Sequence, residues 1–129
     1  MAEKEAVRTE EAPAPFQGAP YSQAIKAGGL VFVSGQLALT PGAKEITAEG
    51  IAAQTEQVFA NLKVILETAG SSLDRVVKTT VYLSNLDDFQ GMNEVYRQYV
   101  GDLPPARATV EVSALPSGAL VEIDAIALA

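Results

Sequence analysis

Two prolines followed by an alternating run constrain this chain more than any other feature in it. Pro104 and Pro105 cannot donate a backbone hydrogen bond, so no helix or central strand runs through them. From Ala106 the pattern alternates. Ala108, Val110 and Val112 fall on one side, and Arg107, Thr109 and Glu111 on the other. A second run, Val121-Glu122-Ile123-Asp124-Ala125, follows, with Val121, Ile123, Ala125 and Ala127 as its apolar set. Between them Leu115-Pro116-Ser117-Gly118 is a turn signal, so the two runs are predicted to pair as a hairpin. With both apolar sets on one face, Arg107 and Thr109 share the opposite face with Glu122 and Asp124. A tight turn places Glu122 opposite Glu111 and leaves Arg107 about 14 Å along the strand. An arginine, a hydroxyl and two carboxylates on one sheet face call for water, a partner chain or a ligand.

The chemistry open to these groups is narrow. The chain has no cysteine and no histidine. Disulfides, thiolate nucleophiles, Ser-His-Asp machinery and imidazole or thiolate metal ligands are excluded. Any reaction must run on carboxylates, arginine, lysine, hydroxyls and backbone groups. A net charge of −7 argues against a nucleic-acid or anionic-membrane surface. With 129 residues and 48% hydrophobic content, one globular domain spanning 1–129 is expected. No apolar run approaches the ~20 residues of a membrane span. Met1 to Pro15 is polar and acidic and lacks the apolar core of a signal peptide, so residues 1–6 are expected to fray and the cytoplasm is the expected location.

The folded part is expected to begin near Tyr21. Ser22 to Lys26 and Leu30 to Val33 read as a hairpin turned by Gly28 and Gly29. Ser34-Gly35-Gln36 interrupts the second strand, and a glycine there marks a bulge or a close approach to its backbone. Ile51, Thr55, Val58, Phe59, Leu62, Ile65, Leu66 and Ala69 form one stripe at helical spacing, stopped by Gly70. Val76 to Leu83 is rich in β-branched residues and fits an interior strand. Asn85 caps a second helix with the stripe Phe89, Met92, Tyr96, Tyr99 and Val100, and Asn93 at its rim. The order is strand, strand, helix, strand, helix, strand, strand. Two helices cover one sheet face, and the other face, carrying Arg107, Thr109 and Glu122, asks for burial in a homo-oligomer.

Read together, Pro20-Tyr21-Ser22-Gln23-Ala24, Phe32-Val33-Ser34-Gly35-Gln36, Val77-Lys78-Thr79-Thr80-Val81, Asn93-Glu94-Val95-Tyr96, Pro105-Ala106-Arg107-Ala108-Thr109 and Val121-Glu122-Ile123 resemble the reactive intermediate deaminase (Rid) family, in particular its RidA-type members. The resemblance runs from about Val7 to the C-terminus. It implies an α+β, chorismate-mutase-like fold, a mixed β-sheet with two helices packed on one face, assembled as a homotrimer with a site in each cleft between subunits. It implies hydrolysis of 2-imino acids such as 2-iminobutanoate and 2-iminopropanoate to 2-keto acids and ammonia, without a cofactor or metal. By the same resemblance Arg107 is the clamp for the substrate carboxylate, and Glu122 orients or deprotonates the attacking water. Tyr21, Ser34 and Asn93 are polar groups of the cleft, and Gly35 and Thr109 offer backbone to the substrate. The sequence departs from the family twice. Thr109 stands where many relatives have cysteine, and Ala19 stands directly before Pro20 where relatives commonly have glycine.

Other functions use the same residues. A trimeric sensor or carrier for small carboxylates needs only the Arg107 clamp. Arg107 and Glu122 can also form a structural ion pair between subunits. A chorismate-mutase-like isomerase wants several cations around a dicarboxylate, whereas the chain has nine Lys and Arg in all.

Overall fold

A computed structural model describes residues 3–129. In chain order its main elements are β1 (Glu5–Val7), β2 (Ala24–Ala27), β3 (Leu30–Gln36), α1 (Gly50–Thr68), β4 (Val76–Leu83), α2 (Phe89–Val100), β5 (Ala106–Glu111) and β6 (Val121–Leu128). The strands form one mixed sheet in the order β1-β2-β3-β6-β4-β5. Among the described strands the β4–β5 pair alone is parallel, and the others run antiparallel.

The β2–β3 hairpin turns at Gly28 and Gly29, both at positive φ, where side chains other than glycine are strained. α1 ends as its stripe requires. Gly70 takes φ +83°, its N–H bonds to Glu67, and Ser71 N–H reaches back to Leu66. Asn85 caps the turn into α2, its side-chain oxygen accepting the Asp87 N–H.

Both helices cover the same face, for a topological reason. β3 runs parallel to β4, since each is antiparallel to the β6 between them, and β4 is parallel to β5. α1 and α2 are thus the crossovers of two steps taken in the same direction across the sheet, and crossovers of one hand place both helices on one side. Under them lie Val31, Val33, Val81, Leu83, Val121, Ile123, Ala125 and Ala127 from the sheet, packed against Val58, Phe59, Leu62, Ile65, Leu66 and Met92 from the helices. The other face is uncovered. It carries the row Ile25, Phe32, Ile126 and Lys78, then Asp124 and Thr80, then Glu122, Tyr82 and Val110.

Three expectations need correction. β5 and β6 are not a hairpin. β6 inserts between β3 and β4, and β5 lies at the sheet edge beside β4. The physical reason is burial. Val121, Ile123, Ala125 and Ala127 are all nearly inaccessible, which only an interior strand provides, whereas Ala108 and Val110 are exposed. Second, the phase of β5 is the reverse of the expected one. Thr79 pairs with Arg107 and with Ala125, so Arg107 and Thr109 share the helix-covered face, while Tyr82 pairs with Glu122 on the uncovered one. Third, order begins well before Tyr21. Glu5 and Ala6 belong to β1, paired with β2, so the expected fraying fails there; Met1 and Ala2 lie outside the described residues. Gln23, buried, fixes the following segment by bonding Thr9, Ala12 and Pro13 through its side chain.

One close contact sets the helix pair. A Cβ added at Gly91 in α2 would stand 2.7 Å from the Cγ2 methyl of Ile51 in α1. That methyl is on a β-branched side chain with little rotamer freedom in a helix. Gly91→Ala should therefore destabilise. Over-packing costs about 1–3 kcal/mol, and the gain in helix propensity returns only about 1 kcal/mol. Denaturant melts will check this, and Ile51→Ala in the same chain should suppress the over-packing cost.

Candidate functional site

The seven residues singled out by the sequence divide into two groups, one on each side of the sheet. The first group lies by the sheet edge, on the helix side. Arg107 projects from β5 toward α2, and its guanidinium carbon stands 4.7 Å from the centre of the Tyr96 ring and 5.6 Å from that of Phe89. These rings hold a cation by their negative faces. The Tyr96 ring is itself fixed. Its hydroxyl shares a 2.6 Å hydrogen bond with the Thr79 hydroxyl, and its plane meets Phe59 edge-on. Asn93 is one turn beyond Phe89 and just short of Tyr96 on α2, so it flanks the same platform. Thr109 follows Arg107 two residues along β5 on the same face. Its hydroxyl is enclosed and has no hydrogen-bond partner among the described residues.

The second group lies around the bulge of β3, where the register shifts between Val33 and Gln36. Gly35 leaves room for Glu122: a Cβ at this position would come within contact distance of the Glu122 carboxylate and would have to displace it. Both readings of this glycine hold at once, the bulge and the close approach. Ser34 donates its hydroxyl to the Ser22 carbonyl at 2.6 Å and so ties the bulge to the segment before β2. Tyr21, 42% exposed, lines a small cleft with Gly35, and its hydroxyl oxygen accepts the Phe16 N–H at 2.6 Å. Beneath the bulge, buried Asn61 of α1 donates to the carbonyls of Leu37 and Leu39 and fixes the path of the chain leaving β3.

Glu122 is half-buried, and its carboxyl is held above the ordinary carboxylate range, by burial first and by the charge of Asp124 second. A carboxyl raised in the folded state supports the fold while it is protonated. That support is present in acid and is lost as the pH climbs from the ordinary value through the raised one. Glu122→Gln, which is neutral throughout, should therefore gain stability over wild type as the pH rises through this window. Denaturant melts in acid and at mildly alkaline pH check the sign.

The structure thus brings Tyr21, Ser34, Gly35 and Glu122 together, and Asn93, Arg107 and Thr109 together, with the sheet between the two groups. Phe89 and Tyr96 were legible only as core stripe, and their role as a platform has no periodic signal. Among the described residues no group of three or more acidic side chains is arranged to hold a metal ion. Among the described residues no helix is long and apolar enough to cross a membrane.

Comparison with known proteins gives consistent matches along the chain. The sequence profile of the family described as Endoribonuclease L-PSP matches residues 9–129. A RutC family protein of Pyrococcus horikoshii is 53% identical over 124 residues, 96% of this chain and 97% of its own. Reactive Intermediate Deaminase A, chloroplastic, of Arabidopsis thaliana is 48% identical over 124 residues, 96% of this chain and 65% of its own. The crystal structure of RidA from the Antarctic bacterium Psychrobacter is similar with a TM-score of 0.90 and 46% identity, covering 97% of this chain and 99% of that one.

Proposed function

The chain belongs to the reactive intermediate deaminase (Rid) family, whose profile is described as Endoribonuclease L-PSP, and from that premise we propose that it hydrolyses 2-imino acids to 2-keto acids and ammonia. Small substrates such as 2-iminobutanoate and 2-iminopropanoate are the class in view. The observation that carries the proposal is the pair of half-sites. One offers a guanidinium laid over two rings, able to grip a planar carboxylate through two parallel hydrogen bonds. The other offers a half-buried carboxyl of raised basicity, the property a base for water needs near neutral pH.

Hydrolysis follows from these parts. Arg107 holds the substrate carboxylate, with the Asn93 amide beside it. Glu122 takes a proton from water as its oxygen bonds to C2, and the imine nitrogen takes a proton from solvent as the C=N π bond opens. The tetrahedral adduct then loses ammonia, Glu122 returning its proton to nitrogen as the C–N bond breaks and the hydroxyl proton passing back to solvent as the C2 carbonyl forms. No redox step and no cofactor is required.

The sheet separates Arg107 from Glu122 within one chain, so one small substrate meets both only at a seam between two copies. A homotrimer with three such seams is the assembly proposed, the mixed apolar and polar face of the sheet being its natural contact. A ribonuclease reading has less support, because a chain of charge −7 without histidine lacks the cationic footprint and the imidazole acid–base groups suited to RNA cleavage. The test is to generate 2-iminobutanoate in place with a threonine dehydratase and trap it with semicarbazide. Less semicarbazone in the presence of the protein supports the proposal. Tight binding of 2-ketobutyrate with unchanged semicarbazone would replace the enzyme by a carboxylate sensor. A stable monomer by sedimentation at micromolar concentration would remove the seam.

A further inference from the structure

Asp124 lies two residues from Glu122 on β6, so both carboxylates project from the uncovered face, about 7 Å apart at strand rise. The two are in different situations. Both oxygens of Asp124 are engaged: Oδ1 accepts the Thr80 backbone N–H and Oδ2 accepts the Tyr82 hydroxyl, each at 3.1 Å. These two bonds fix the direction in which the Asp124 carboxylate points. Tyr82 stands opposite Glu122 in the register, yet its hydroxyl bonds to Asp124, so it spans the two rows. Glu122 packs over the bare backbone of Gly35.

We propose that Asp124 is a positioning residue that acts through Glu122: a fixed negative charge, clamped by Thr80 and Tyr82, that makes the neighbouring carboxylate a stronger base for the attacking water. This rests on the reading of Glu122 as the base. Facing Glu122 are Asp124 on its own strand, Tyr82 on β4 and the uncharged Gly35 backbone on β3. Lys78, the cation on that face of β4, pairs with Ile126, one row beyond Asp124. The nearest fixed charge is therefore negative. Consistently, Asp124 adds to the effect of burial in raising Glu122, and both acids, after burial, keep the Tyr82 phenol above its ordinary value, so Tyr82 remains a donor and not an anion.

The test is a carbon-13 NMR titration of the Glu122 carboxyl in the intact assembled protein, in wild type and in Asp124→Asn. Asparagine has the same shape and still accepts the Thr80 N–H, so the change is chiefly one of charge. The Glu122 midpoint should move to lower pH. The acid limb of kcat for 2-iminobutanoate hydrolysis should move with it, while KM holds, because Asp124 does not touch substrate. Plateau turnover should fall by less than in Glu122→Gln. Asp124→Ser, neutral and smaller, should shift the midpoint in the same direction, and Tyr82→Phe, which frees one oxygen but leaves the charge, should shift it less. A midpoint unmoved in the neutral variants overturns the inference, whatever happens to turnover. A midpoint that moves while the acid limb stays in place overturns Glu122 as the base, and with it the catalytic role given to Asp124, leaving only the charge coupling.

Discussion

Arg107→Ala is expected to remove nearly all imine hydrolysis while leaving the assembly intact. The guanidinium is the only group of its half-site that can meet a carboxylate with two parallel donors. Each hydrogen bond to a charged group is worth about 1.5–3 kcal/mol, so losing two should cost roughly 100-fold or more in kcat/KM. Arg107→Lys distinguishes charge from shape. Lysine keeps the positive charge but has no planar fork, and an ammonium does not lie flat against Tyr96 and Phe89 as a guanidinium does, so most activity should still be lost. The semicarbazone assay reads both variants, with sedimentation alongside. Wild-type turnover in Arg107→Ala would defeat the clamp. Dissociation into monomers would instead make Arg107 a structural link between subunits. The position of Arg107 on two rings of its own chain argues for a group held ready rather than one consumed by an intersubunit ion pair.

Glu122→Gln should lower turnover by at least about tenfold and leave product binding in place. Positioned acid–base help typically supplies ~100- to 10,000-fold. Imines also hydrolyse unaided, and solvent can stand in for part of a missing base, hence the lower bound. The amide has the size of the carboxylate and still fits above Gly35, so the loss is one of proton transfer rather than packing. 2-Ketobutyrate should still bind, measured by calorimetry, because its carboxylate answers to Arg107. Unchanged turnover would show that water is activated by another group, such as a backbone carbonyl near Thr109. The stability gain expected for the same substitution at higher pH makes a useful pair with this loss. A residue that weakens the fold while ionised, yet is needed ionised for turnover, is one whose cost is tolerated for chemistry.

Much of the fold could be read from particular residues, and the failures have physical causes. Gly28-Gly29 announced its hairpin because only that turn chemistry needs two positive φ values in succession. The α1 stripe and its Gly70 stop were legible because helical spacing and a left-handed cap are local signals. Val76 to Leu83 was recognisable as interior from its β-branched content. The partner of β5 was not recognisable. Leu115 to Gly118 does reverse the chain, with Ser117 at φ +59°, but a turn does not say which strand the returning segment will join. Nor does alternation carry a sign. Ala108 and Val110 look like a core face until β5 is known to be an edge, where the helix side can take Arg107 and Thr109 instead. Gln23, Gln54 and Asn61 are buried polar residues with no periodic mark. Their places become intelligible only with the carbonyls and N–H groups they satisfy, such as Leu120 N–H on the Gln54 side chain. Among the candidate site residues, Arg107, Glu122 and Gly35 were singled out by the sequence, but not the sheet that divides them.

That division has a genetic consequence. If each site takes its clamp from one subunit and its base from the next, two defective alleles can repair each other. A ring assembled at random from equal amounts of Arg107→Ala and Glu122→Gln chains would contain, at about a quarter of its seams, an intact arginine facing an intact glutamate. Two impaired preparations, unfolded together and refolded as a mixture, would then recover more activity than either has alone. The remaining seams would each lack the clamp, the base or both. In a cell carrying both alleles the damage would be partial, whereas two copies of either one would leave only the residual turnover of that variant.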